Sequence, residues 1–382
     1  MTDQVRLNIS DIVIGEPLPW DVYGAGNKLL LRRGHVVENL RLAEELVERG
    51  MFIDAGQAER LGRAKSEAQR VKQETPSALR LINLANKRLE RLLYNLPNEE
   101  DVQSKILEVA KALTYATNIN ADVVVASVFV NQAVSGYAIR HCIDTALIAL
   151  QIARAMKKTE EEIQAILAAA LTMNIAMLRQ HDQFASRQQP LTEKEAELVR
   201  NHPAEGVEIL KGAGITHPEW LSYVLLHHEN EDGSGYPLGK DVKEIPQNAK
   251  ILATADRYCA AVSNRKYRKT LLPSAALRDV LIANGKPIDP LLAAYFIKEL
   301  GTYPPGTFVR LQNGEIGVVT RRGKGAGTPV VHTFIGPRGA PLSFPIQRDT
   351  GKELYAIRDT LYSDQAALLF SMHQLWGDEA AL

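Results

Sequence analysis

A chain of 382 residues is too long for one small core and predicts two or three folded units. Its 45 basic and 45 acidic residues cancel, which excludes an overall field drawing in nucleic-acid polymers or anionic membranes. No apolar run approaches the roughly 20 residues that cross a bilayer, and MTDQVRLNIS lacks the basic-then-apolar order of a secretory signal, so a cytoplasmic protein without a membrane span is expected.

The pattern predicts a mainly α protein. Residues 1–56 read as a small N-terminal α+β domain, because VRLNI, IVIG and LLLRRG are short apolar runs broken by turn residues. Within it, Asn39 is placed to cap the helix LRLAEELVER and Gly50 to close it. Residues 57–120 read as a helical linker. Charge dominates from Gln57 to Thr75, and Leu79, Ile82, Leu89, Leu92, Leu93 and Leu96 then share one helix face. That stripe is expected to pack in a core, with a homodimer seam as the alternative, since no sustained heptad supports a coiled coil.

Residues 121–300 read as a helical domain, in which Thr192 with Glu195 and Thr216 with Glu219 have the spacing of reciprocal helix-start capping. Cys142 and Cys259 both fall in apolar helical stretches and are expected as reduced core thiols, which excludes a disulfide framework and a CxxC metal knuckle. Residues 301–382 read as a β-rich C-terminal appendix ending in a short amphipathic helix from about Ser363. Its turn Arg321, Arg322 and Lys324 reads as surface charge.

Chemistry concentrates in the helical middle, where His141, His202, His227, His228 and Asp256 sit among apolar residues. Each would cost free energy if buried without a partner, and a shared site is one way to satisfy all five. Imidazole nitrogen and carboxylate oxygen suit one divalent ion of manganese, iron, nickel or zinc. The sharpest local signal is HHENEDGSGYP, from His227 to Pro237. There a histidine-bearing helix runs into a loop in which Gly233 and Gly235 permit unusual backbone angles and Pro237 blocks a return to regular structure.

HHE followed by DGSGYP resembles the signature of HD-GYP domains, a branch of the metal-dependent HD phosphohydrolases. RHCIDTALIALQIA, LTEKEAELVRNHPAEGVEIL and AKILATADRYCAAVSNRKYR are similar to that family's ligand-bearing helices, and the resemblance spans roughly Asn131 to Pro304. It implies a helical HD-type bundle and cleavage of cyclic di-GMP with two or three metals bridged by an aspartate. It also implies metal-ligand positions at His141, His202, His227, His228 and Asp256. A nucleotide-binding or partner loop would comprise Asp232, Gly233, Ser234, Gly235, Tyr236 and Pro237, with Arg265, Tyr267 and Arg268.

The departures carry the functional expectation. In AALTMNIAM, Met173 and Asn174 stand where the resemblance implies the His-Asp dyad. Ala176 and Met177 replace its glycine and lysine, Tyr137 stands for a glutamate, and Cys259 for a frequent aspartate. A neutral amide cannot bridge two cations as a carboxylate does, and a thioether is a poor ligand for a borderline or hard ion. His181 and Asp182, a literal HD dipeptide, are expected as solvent-exposed loop residues. The expectation is therefore a catalytically impaired member of the cyclic di-GMP signalling apparatus. It would bind that or a related nucleotide, or a GGDEF-type partner protein. An active phosphohydrolase with an unconventional metal site and a metal-free scaffold are the alternatives.

Overall fold

The computed structural model describes residues 4–6, 18, 20–24, 28–37, 52–54, 76–131, 135–240, 244–263, 270–283, 286–323, 325, 327–362 and 370–382. The expected helix from Asn39 to Gly50 and the charged stretch up to Thr75 lie outside them. The chain divides into two compact units, 1–75 and 76–382. In the first, β1 (Gln4–Arg6), β2 (Val22–Gly24), β3 (Lys28–Leu31) and β4 (Phe52–Asp54) form an antiparallel sheet in the order β1-β4-β2-β3. Val22, Val37 and Ile53 are fully buried within it.

In the second unit, α1 (Ala78–Tyr94) and α2 (Val102–Ile119) belong to the same hydrophobic core as the helices that follow. This corrects the reading of residues 57–120 as a linker: from Pro76 onward the stretch is bundle. The physical reason is the leucine stripe itself, since Leu79, Ile82, Leu89, Leu92, Leu93 and Leu96 are all buried, as a helix with one apolar face requires. Next come α3 (Ala121–Val130), α4 (Tyr137–Ala155) and α5 (Glu160–Thr172). Helix α4 is apolar on nearly every side, so it runs through the middle of the bundle, packed chiefly on α5. Among the described residues, the helical run Glu160–Ser186 and the bent pair α2–α3 are long and apolar enough to cross a bilayer. The first has 72% of its apolar window inside the protein, as a core helix would.

A 3-10 turn (Ile175–Met177) leads to α6 (Leu178–Ser186), then α7 (Glu193–Gly212), α8 (Pro218–Leu226) and α9 (Gln247–Val262). Helix α7 starts as expected, on the Thr192–Glu195 capping box, and α5 starts on a second box, Thr159–Glu162. Helix α8 corrects the other expected start. Its cap is His217, which accepts the Trp220 N–H, and Thr216 lies outside the helix. Pro218 explains the shift, because proline favours the first helical position and so sets the cap one residue before it.

After α10 (Pro273–Val280), the short pair β5 (Ile282–Ala283) and β6 (Lys286–Pro287), and α11 (Pro290–Leu300), the chain builds a five-stranded antiparallel sheet. Its strands are β7 (Phe308–Leu311), β8 (Ile316–Arg321), β9 (Val330–Ile335), β10 (Pro341–Asp349) and β11 (Ile357–Leu361), in the order β10-β9-β8-β7-β11. The β-rich character expected for residues 301–382 is present, but the segment belongs to the same compact unit as the bundle. Gly306 shows how close the two lie, since a side chain there would meet the Ala126 backbone of α3. Arg322 pairs with Glu299 of α11 at 2.7 Å and faces Asp122 of α3 at 3.6 Å, so this expected surface charge joins sheet to bundle. Lys324 lies outside the described residues. The final helix, α12 (Met372–Trp376), adds a hydrogen bond from Trp376 to the Thr320 carbonyl, and the Ser77 hydroxyl donates to the Ala381 carbonyl at 2.6 Å.

Candidate metal centre and its cavity

Three of the expected ligands converge. His202 comes from α7, and His227 and His228 follow the end of α8, with nitrogens of all three within 4.8 Å of one another. Backbone chemistry decides which nitrogens face inward. The Nδ1–H of His202 donates to the Val199 carbonyl at 2.6 Å, and that of His227 to the Val224 carbonyl at 2.7 Å. Each Nε2 is then left with its lone pair, and the two Nε2 atoms lie 3.2 Å apart. Burial pushes His202 down to about 3 and lowers His227 and His228 as well, so at neutral pH no proton settles the facing lone pairs. A divalent ion would. The donor set, three neutral imidazoles, is one that zinc, manganese, iron or nickel accepts.

The other two expected ligands pair with each other. His141 Nε2, from α4, lies 2.7 Å from Asp256 Oδ1, from α9, with both side chains buried. Burial opposes ionisation of Asp256, but the bond from His141 and the nearby imidazoles outweigh it and hold the carboxyl well below the usual range. Met173 is fully buried, and Asn174 lines the cavity together with His141, His228 and Asp256. Cys142 packs beside Asn174, and burial pushes its thiol up to about 12; Cys259 is buried and raised likewise, so both cysteines are core thiols.

The glycine-rich loop is folded onto the histidines. Tyr236 lies over His228, ring centroids 4.7 Å apart, and the Tyr236 N–H donates to the His228 carbonyl. Gly233 has φ +74°, and a side chain at Gly235 would run into the backbone of Glu229 and Asn230, so both positions demand glycine. Asp232 accepts from the Ser234 N–H and hydroxyl, which closes the turn. Arg265, Tyr267 and Arg268 lie outside the described residues.

Two groups were missed or misread from sequence. Glu229 is 3% exposed and accepts the N–H groups of Leu238 and Lys240 at 2.7 and 2.9 Å, so it anchors the far side of the loop. Its place in HHE, next to two candidate ligands, was the available signal. His181 and Asp182 are not exposed loop residues, because they lie on α6, which packs against α4. His181 is buried and lines the cavity, set edge-on to Tyr137 and His141 at 4.9 and 5.5 Å. Asp182 accepts the Ala138 N–H in the first turn of α4 and the Tyr94 hydroxyl. An acidic side chain at a helix start is favourable, and this one joins α6 to the helix that carries His141.

The cavity holds about 380 Å³, within the range of a small-ligand pocket, and is lined by His141, Asn174, His181, His228, Tyr236 and Asp256 among others.

Residues 126–292 match the HD domain family model. The cyclic di-GMP phosphodiesterase PA4108 of Pseudomonas aeruginosa is 31% identical over 203 residues, 53% of this chain and 49% of that protein. The cyclic di-GMP phosphodiesterase response regulator RpfG of Xanthomonas campestris is 33% identical over 140 residues, 36% of this chain and 37% of that protein. The chain thus spans half or less of the length of these relatives. Among solved structures, the HDG"Y"P protein Bd1817 of Bdellovibrio bacteriovorus superposes with a TM-score of 0.50 at 15% identity, covering 78% of this chain and 99% of that one, a likeness of fold.

Proposed function

We propose that residues 126–292, which match the HD domain family, form a domain of the HD-GYP type, and that this chain acts in cyclic di-GMP signalling as a nucleotide-binding module with one divalent ion and impaired hydrolysis. The observation that carries this reading is the division of the site. Facing lone pairs on His202 and His227, with His228 beside them, make one place for a cation, while His141 and Asp256 satisfy each other. Asn174, which lines the same cavity, and the buried Met173 before it occupy the positions where the resemblance implies the dyad. Asn174 offers one neutral carbonyl to a bridging position, and Met173 a thioether where imidazole is needed. A metal on the histidine triad would supply charge to a phosphate oxygen. Tyr236, stacked on His228, would hold the ligand against it, and the ordered Gly-Tyr-Pro loop is the surface for nucleotide or for a GGDEF-type partner. The cytoplasm as its location follows from that role.

A second reading, slow hydrolysis at a mononuclear site, draws on the same intact triad. Metal content and cyclic di-GMP turnover, measured on one preparation loaded in turn with manganese, iron, nickel and zinc, separate the two. One ion per chain, nucleotide binding and no product support the module. Steady product formation that disappears in His228→Ala supports the hydrolase. A metal-free, nucleotide-blind protein refutes both.

A further inference from the structure

Among the described residues that line the cavity, positive charge is sparse. Among its described lining residues the only permanent cation is Arg187, and the only carboxylate is Asp256. Met177, which stands where the resemblance implies a lysine, lines the same cavity with a thioether. Among these described residues a phosphate would meet one guanidinium, ten residues further along the chain at the end of α6.

That guanidinium is set up as a fork. Its central carbon lies over the Phe184 ring, 5.4 Å from the centroid. Its Nη1 and Nη2 donate to the two carboxylate oxygens of Glu195 at 2.8 and 2.7 Å, and Nη2 also reaches the Pro190 carbonyl at 3.2 Å. The two side chains are each 28% exposed, so the pair is open to a competing anion in solution. Glu195 is held independently, since its carboxylate also accepts the N–H and hydroxyl of Thr192 in the capping box. It keeps those partners if the guanidinium leaves. A phosphate ester offers two non-bridging oxygens with a spacing comparable to that of a carboxylate, and arginine binds either in a two-pronged way.

We propose that Arg187 receives a phosphate of the nucleotide bound in this cavity, and that Glu195 is a built-in stand-in for that phosphate. The inference rests on the nucleotide-binding reading above and assigns it a specific contact. Binding exchanges carboxylate for phosphate on one fork, so Glu195 competes with the ligand while it keeps Arg187 in place.

The two sides of the pair then have opposite effects, which a merely structural ion pair would not give. Calorimetric titration of the full chain with cyclic di-GMP should show Arg187→Ala weakening binding about tenfold or more, the loss expected for charge-assisted hydrogen bonds. Arg187→Lys should fall between that variant and the native chain. Glu195→Gln should tighten binding several-fold, because glutamine preserves the capping box and removes the competing charge. If Arg187→Ala fails to fold, the opposed shifts of Arg187→Lys and Glu195→Gln decide. Native binding with both variants weakened, or both unchanged, overturns the assignment and leaves the nucleotide reading intact. A native chain that does not bind cyclic di-GMP removes both.

Discussion

Glu229 accepts the backbone N–H of Leu238 at 2.7 Å, and this one bond spans the Gly-Tyr-Pro turn from the histidine pair to its far side. With the second bond, from Lys240, a single buried carboxylate holds the loop that places Tyr236 over His228.

Glu229→Ala should therefore destabilise the protein by roughly 1–3 kcal/mol, because two backbone donors lose a charged acceptor in a buried place. Urea unfolding measures the loss. Glu229→Gln, which keeps one acceptor, should lose less, and equal losses for the two variants would argue against the loop anchor.

Divalent metal should raise the melting temperature. An ion that binds the folded triad and not the unfolded chain adds about 2.7 kcal/mol when present at a hundred times its dissociation constant. Scanning calorimetry with and without added zinc or manganese reads the shift. His227→Ala should abolish it, while His141→Ala should leave most of it. A shift that survives His227→Ala would move the ion elsewhere.

Restoring the dyad tests the division of the site directly. Met173→His with Asn174→Asp should raise the bound metal from one to two per chain, since a carboxylate can bridge where an amide cannot. Elemental analysis after dialysis gives the count. Met173 is fully buried, so the double variant must first be shown to keep its helical circular dichroism. Retained fold with a single ion would show that more than the dyad is missing.

Asp144 gives the stability a pH dependence. It lies on α4 with Arg140 3.8 Å away, and burial pushes its carboxyl up to about 8, partly offset by that arginine. The unfolded chain ionises this group near pH 4, whereas the folded chain keeps it protonated, so its contribution falls as pH rises from about 4 to about 8 and levels off above. Asp144→Asn should flatten the decline, by on the order of a few kcal/mol at pH 8. Denaturant midpoints at pH 5 and pH 8 compare the two chains. Parallel declines would assign the pH dependence to other groups.

The helical bundle, the β-rich end and the candidate histidines and aspartate were all legible along the chain. Those signals are local: helix periodicity in α1, the capping box at Thr192, and a glycine-rich loop after two adjacent histidines. The sequence misassigned α1 and α2 to a linker, because periodicity marks an apolar face without saying what covers it. It took His181 and Asp182 for exposed residues, because their burial depends on α6 meeting the first turn of α4. Folding alone reveals that His202, His227 and His228 face one another while His141 turns to Asp256, and that Arg187 lines the cavity that Met177 enters without charge. Each is a relation between side chains far apart in sequence, fixed by helix packing, and spacing along a single chain carries no record of it.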